Sequence, residues 1–211
     1  MPWSRIPRRT LLASAAAVAV VLISFLGARL IHGWRVEREL TAAKAYVQQR
    51  DEKNALLSLK KALLLRPAHI EARRALASLL EESTSAEAIG HRRKLVELQP
   101  QLLEPKLELV KTALRLGDAA EAARTLKMIT GPPRRMPRVM ELQAQVYLAQ
   151  GRPDLALEIY RELVEQRPED RETKVKLTAL ELESGPELDR AAARADLESL
   201  VADDEFGLLA L

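Results

Sequence analysis

Cysteine is absent from all 211 residues, which excludes disulfides, thiol nucleophiles and lipid-modified cysteine together. Aromatic residues make up only 3%, and the eight glycines are scattered singly, so no phosphate-cradling loop, dinucleotide fingerprint or G-x-S-x-G elbow occurs. Charge of one sign is also scarce. Met1 to Arg38 carries +5, leaving −2 on the rest of a chain whose net charge is +3. A nearly neutral body with few aromatics lacks both the basic stripe and the stacking platforms that nucleic acid requires, so no nucleic-acid partner is expected. What remains is a 47% hydrophobic chain, enough to bury a continuous core.

That apolar content is organised by repetition. "ALLSLKKALLLRP" runs from Ala55 to Pro67, "AIGHRRKLVELQP" from Ala88 to Pro100 and "ALEIYRELVEQRP" from Ala156 to Pro168. Their prolines lie 33 and then 68 residues apart, one period near 34 followed by two. Apolar residues recur at helical spacing between turn residues, with no strand-like alternation. In the first unit the pattern predicts a helix from Arg38 to Arg50, a turn from Asp51 to Asn54 and a returning helix from Ala55 to Arg66. Pro67 ends it, because proline lacks the N–H that continues a helix.

These spacings resemble the tetratricopeptide repeat, a helix-turn-helix unit of 34 residues. The first unit carries Ala43, Tyr46, Ala55, Leu59, Ala62 and Pro67. The fourth, and clearest, carries Ala144, Tyr147, Gly151, Ala156, Tyr160, Leu163 and Pro168. The second has Ala77, Leu80, Ala88, Leu95 and Pro100, is one residue short near "EESTSAEA", and places Arg92 where a bulky apolar residue is expected. The third has Val110, Ala113, the "LGD" turn, Ala122, Leu126 and Ile129, and a fifth and weakest runs from Arg171 to Leu197. The resemblance implies an all-α solenoid of about four to five helix pairs over residues 36–202. Small residues would let helices cross closely while tyrosine and leucine fill the gaps between pairs.

Ahead of the repeats, residues 1–9 form a short basic tail, and Thr10 to Ala28 is a run of 19 uncharged residues, about 28 Å as a helix. Trp3 and Trp34 flank it, as interfacial aromatics do. Leu26-Gly27-Ala28 is a poor cleavage site, and Arg8-Arg9 reads as topology rather than twin-arginine export. A single-pass transmembrane signal anchor over residues 10–31 is therefore expected. The acid-free basic tail favours an inner-membrane protein with its repeats on the periplasmic side, although flanking charges nearly balance.

No catalytic constellation emerges. His32, His69 and His91 lie in separate settings and are expected to be surface histidines, and Asp203-Asp204-Glu205 reads as a solvated end. Arg134-Arg135-Met136-Pro137-Arg138 reads as a solvated basic linker, and Glu181 and Glu183, two apart, share no helix face. No enzyme activity, metal or cofactor is expected. By the resemblance, first helices line a concave groove for a protein or peptide. Leu40, Lys44 and Val47 would come from the first unit, Arg74 and Ser78 from the second, Lys111 and Leu114 from the third, and Glu141, Gln145 and Leu148 from the fourth. The expected function is a membrane-tethered interaction scaffold, resembling bacterial envelope proteins that assist secretion, export or assembly. The competing expectations are a homo-oligomer that self-associates through the apolar tail at 203–211, and a cytoplasmic-face adaptor if the topology is reversed.

Overall fold

The computed structural model describes residues 33–184 together with 190 and 193–195, and every regular element among them is helical. Helix α1 covers 33–48, followed by α2 (Glu52–Leu65), α3 (Ile70–Glu82), α4 (Glu87–Leu98), α5 (Glu104–Arg115), α6 (Ala119–Lys127), α7 (Pro137–Ala149), α8 (Pro153–Gln166) and α9 (Arg171–Ser184). A short 3-10 turn, Pro132–Arg135, separates α6 from α7. The basic linker is thus mostly structured, with Arg138 inside α7. The expected membrane anchor over 10–31 and the tail at 203–211 lie outside the described residues. No described helix is long and apolar enough to cross a membrane.

The repeat is written in the backbone as well as in the side chains. Positive φ occurs at Arg50 (57°), Thr84 (52°), Gly117 (77°) and Gly151 (70°), positions 34, 33 and 34 apart. At each, the following N–H reaches back five residues: Asp51 to Tyr46, Ser85 to Leu80, Asp118 to Ala113 and Arg152 to Tyr147, at 2.8–2.9 Å. This left-handed closure satisfies carbonyls at the end of a first helix and turns the chain into the second. Glycine meets the requirement without steric cost at Gly117 and Gly151. The single 33 in the series places the missing residue of the second unit after Thr84.

The turn in the first unit is shorter than the predicted Asp51–Asn54. Asp51 caps α2, its carboxylate accepting from the Asn54 N–H at 3.1 Å, so the helix starts at Glu52. Asp118 does the same for α6, accepting from the Glu121 N–H at 2.9 Å. Pro67, Pro100 and Pro168 each follow the C-cap residue of a second helix, at Arg66, Gln99 and Arg167.

The chain divides into two compact units, Met1–Leu79 and Leu80–Leu211. In the first, Val36, Leu40, Ala43, Ala55, Leu59, Ala62 and Leu76 are buried. In the second, α5 packs on α4, α6 and α7, and α8 lies between α7 and α9. One core there joins Leu107, Val110, Ala122, Val139 and Val146; another joins Met140, Ala144, Ala156, Tyr160, Leu163 and Leu180. Helix α7 contributes to both, so within this unit the pair α5–α6 and the pair α7–α8 bury apolar surface against one another. Ala43, Ala55, Ala88, Ala122, Ala144 and Ala156 are at most 2% exposed, as residues at helix crossings must be.

Candidate partner-binding faces

The expected groove residues divide by exposure. In the first unit Leu40 does not line a surface: it is 3% exposed, because Val36, Leu40 and Ala43 form one i, i+4, i+7 stripe facing the core. Lys44 is exposed and bonded to Glu71 at 2.8 Å, which holds the Glu71 carboxyl below its usual range. Val47 and Arg74 are exposed and Ser78 is half-buried.

In the second unit Lys111, Gln145 and Leu148 are exposed, whereas Leu114 is half-buried against the α5–α7 core. Glu141 is taken by Arg167 at 2.6 Å, and Arg138 reaches Glu104, one repeat earlier, at 3.3 Å. The first-helix face of this unit is therefore a surface of mutually paired charges interrupted by aliphatic side chains.

His69 corrects the expectation of surface histidines. Its side chain is 11% exposed; Nδ1 accepts from the Ala72 N–H at 3.2 Å, tying down the start of α3, and Nε2 lies 3.7 Å from Glu37. His91 is half-buried, and His32 and Asp203-Asp204-Glu205 lie outside the described residues. Glu181 accepts two bonds from Arg161 at 2.9 and 3.0 Å.

Sequence reasoning noticed the misfit of Arg92 without finding its partner. Arg92 is 4% exposed and Glu81 8%. The guanidinium donates to Glu81 at 2.9 and 3.4 Å and lies 3.7 Å from Glu108, while the Thr112 hydroxyl also bonds to Glu81. The Glu108 carbonyl lies 2.8 Å from the same hydroxyl, whose single hydrogen the two acceptors share. An arginine at an apolar repeat position was the available signal; the partners sit on α3 and α5, eleven to twenty residues away. Among the described residues no set of three or more potential metal ligands gathers.

A cleft of about 580 Å³ opens where α4, α5 and α6 meet, floored by Val96 and Leu109. Glu121, 5% exposed, is gripped there by Arg93 at 3.0 Å and by Arg124. The hydrogen bond from Arg93 holds the Glu121 carboxyl below its usual range, against burial and with help from Arg124. A carboxylate with a depressed folded pKa stabilises the fold above its unfolded pKa, near 4.5, and that contribution is lost as pH falls through the lower folded value. Urea midpoints measured from about pH 5 down to pH 2 are expected to fall more steeply for the wild type than for Glu121→Gln. Equal slopes would remove Glu121 from the acid response.

These features define a repeat protein made of stacked helix pairs, each carrying small residues at its crossing. Family profiles described as tetratricopeptide repeat match residues 137–180 and 40–69, so repeats of this type are present in those two segments. Among solved structures, MamA from Desulfovibrio magneticus RS-1 superposes with a TM-score of 0.65 at 13% identity, covering 81% of this chain and 96% of that one. PilW, described as a widely conserved type IV pilus biogenesis factor, gives 0.58 at 16% identity, covering 81% of this chain and 78% of that one. Pseudomonas aeruginosa pilF gives 0.57 at 18% identity, covering 79% and 75%. At these identities the likeness is one of fold. No curated protein matches the chain.

Proposed function

We propose that the protein is a membrane-tethered scaffold that holds a protein partner at the surface of a bacterial inner membrane, with its repeats on the periplasmic side. The observation that carries this reading is the joining of an uncharged 19-residue run, Thr10 to Ala28, to an array of helix pairs. The tether confines the array to one membrane face. The exposed first-helix residues Lys44, Val47, Arg74, Lys111, Gln145 and Leu148 offer mixed charged and aliphatic contacts to a peptide or partner helix. Nothing in the paired-charge surface calls for catalysis. The biogenesis role given to PilW supports an assembly function, through a shared fold only.

Alkaline phosphatase fused to the carboxyl end, in parallel with a fluorescent protein that matures only in the cytoplasm, tests the topology. Phosphatase activity without fluorescence is the expected result. Fluorescence alone would make the protein a cytoplasmic-face adaptor. A second reading, self-association, is favoured by the apolar stretch Phe206 to Leu211; a mass that rises with concentration would support it.

A further inference from the structure

A second cleft, of about 270 Å³, lies between α6, the Pro132–Arg135 turn and α7, and its charges are not balanced. Leu126, Val139 and Val146 supply an apolar floor, and Lys127, Arg134 and Arg152 supply cations at the rim. No lining residue is acidic. Among the described residues, none of these three cations has a carboxylate within ion-pair distance. The Arg152 guanidinium lies over the Tyr147 ring at 5.9 Å.

Repeat register explains how the imbalance arises. Lys127 stands 34 residues after Arg93, keeping the cation that grips Glu121 one repeat earlier. Position 155, 34 after Glu121, is leucine, so the acid that should answer Lys127 is gone. Position 152, 34 after the helix-capping Asp118, is arginine. As a result α8 has no side-chain cap, and a cation occupies the helix start, where the peptide dipoles favour an anion. Two carboxylates of the repeat have been replaced by a leucine and a cation, and the replacement at Arg152 is locally unfavourable. A residue that opposes its own helix signals a requirement from elsewhere.

We propose that this cleft docks an acidic peptide segment of a partner protein, with carboxylates on Lys127, Arg134 and Arg152 and one apolar side chain on the Leu126–Val139–Val146 floor. The occupant follows from charge complementarity and from the mixed lining. A phosphate polymer would meet the cations but leave the floor unused, and the near-neutral repeat body offers it no continuing basic track. The site is separate from the first-helix face and rests on the reading of the protein as a partner-binding scaffold, though not on its topology.

The test uses the purified full-length chain in detergent and a fluorescein-labelled decapeptide of aspartate and glutamate around one central phenylalanine, followed by anisotropy. Arg152→Asp and Leu155→Glu are each expected to weaken binding about tenfold, the effect of losing or neutralising a charge-assisted contact. Arg152→Asp is also expected to raise the thermal midpoint by restoring the cap, a shift opposite to that of a merely structural arginine. Lys61→Glu, at an exposed position of α2 that belongs to neither face, should bind as the wild type does. The proposal is overturned if the peptide fails to bind, or if both cleft variants bind normally. Equal binding by inorganic polyphosphate, or by a peptide with glycine replacing the phenylalanine, would reduce the cleft to an anion patch. A concentration-dependent mass abolished by the cleft variants would make the occupant a second copy instead. These readouts are independent of the membrane side, so the topology experiment and this one can fail separately.

Discussion

Arg92→Ala is expected to destabilise the second unit by about 3–5 kcal/mol, the cost of stripping one partner from a buried ion pair. The magnitude comes from what is left behind. Glu81 is 8% exposed, and without the guanidinium its carboxylate keeps only the Thr112 hydroxyl within bonding distance. Coulombic gain within the pair and desolvation of its members nearly cancel, so the pair itself contributes little net stability; the penalty lies in breaking it. The double variant Arg92→Leu/Glu81→Leu is therefore expected to recover most of the loss. Urea unfolding followed by far-UV circular dichroism checks both. A single substitution within about 0.5 kcal/mol of the wild type would mean that water reaches the pair and that the network is a surface feature.

That network also marks where reading the chain by itself stops. Ala43, Ala55, Ala144 and Ala156 were legible because a small residue recurring at a fixed offset between helices has one economical explanation, close crossing, and all four are buried. The prolines after second helices were legible for the same local reason. Arg92 was legible only as a misfit between Ala88 and Leu95, since its partners come from α3 and α5 and their approach is set by packing.

Leu40 was misplaced for a different reason. A family register put it on the open face, whereas its own neighbours Val36 and Ala43 already described a buried stripe. His69 escaped because a turn after proline looks exposed until the next helix is seen using the imidazole as its cap. In the second cleft every residue was visible, but the missing carboxylate became meaningful only once Arg93 and Glu121 were seen to pair one repeat earlier.

Leu163→Ala is expected to cost about 2–5 kcal/mol, while Leu64→Ala, at an equally apolar-looking position in the first unit, should stay within about 0.5 kcal/mol. Leu163 is 0% exposed and belongs to the core that joins α7, α8 and α9 through Met140, Tyr160 and Leu180. Truncation there removes apolar burial and leaves a cavity between helices whose alanines already hold them close, so little collapse can fill it. Leu64 is 81% exposed, the outward member of the run Leu63-Leu64-Leu65, and has no comparable packing to lose. Because α7 belongs to two cores, the cavity at Leu163 is also expected to loosen α9 before α5 and α6. Hydrogen exchange would show this as faster exchange confined at first to Arg171–Ser184. Uniform acceleration across the second unit would instead mean that its helix pairs unfold as one cooperative block.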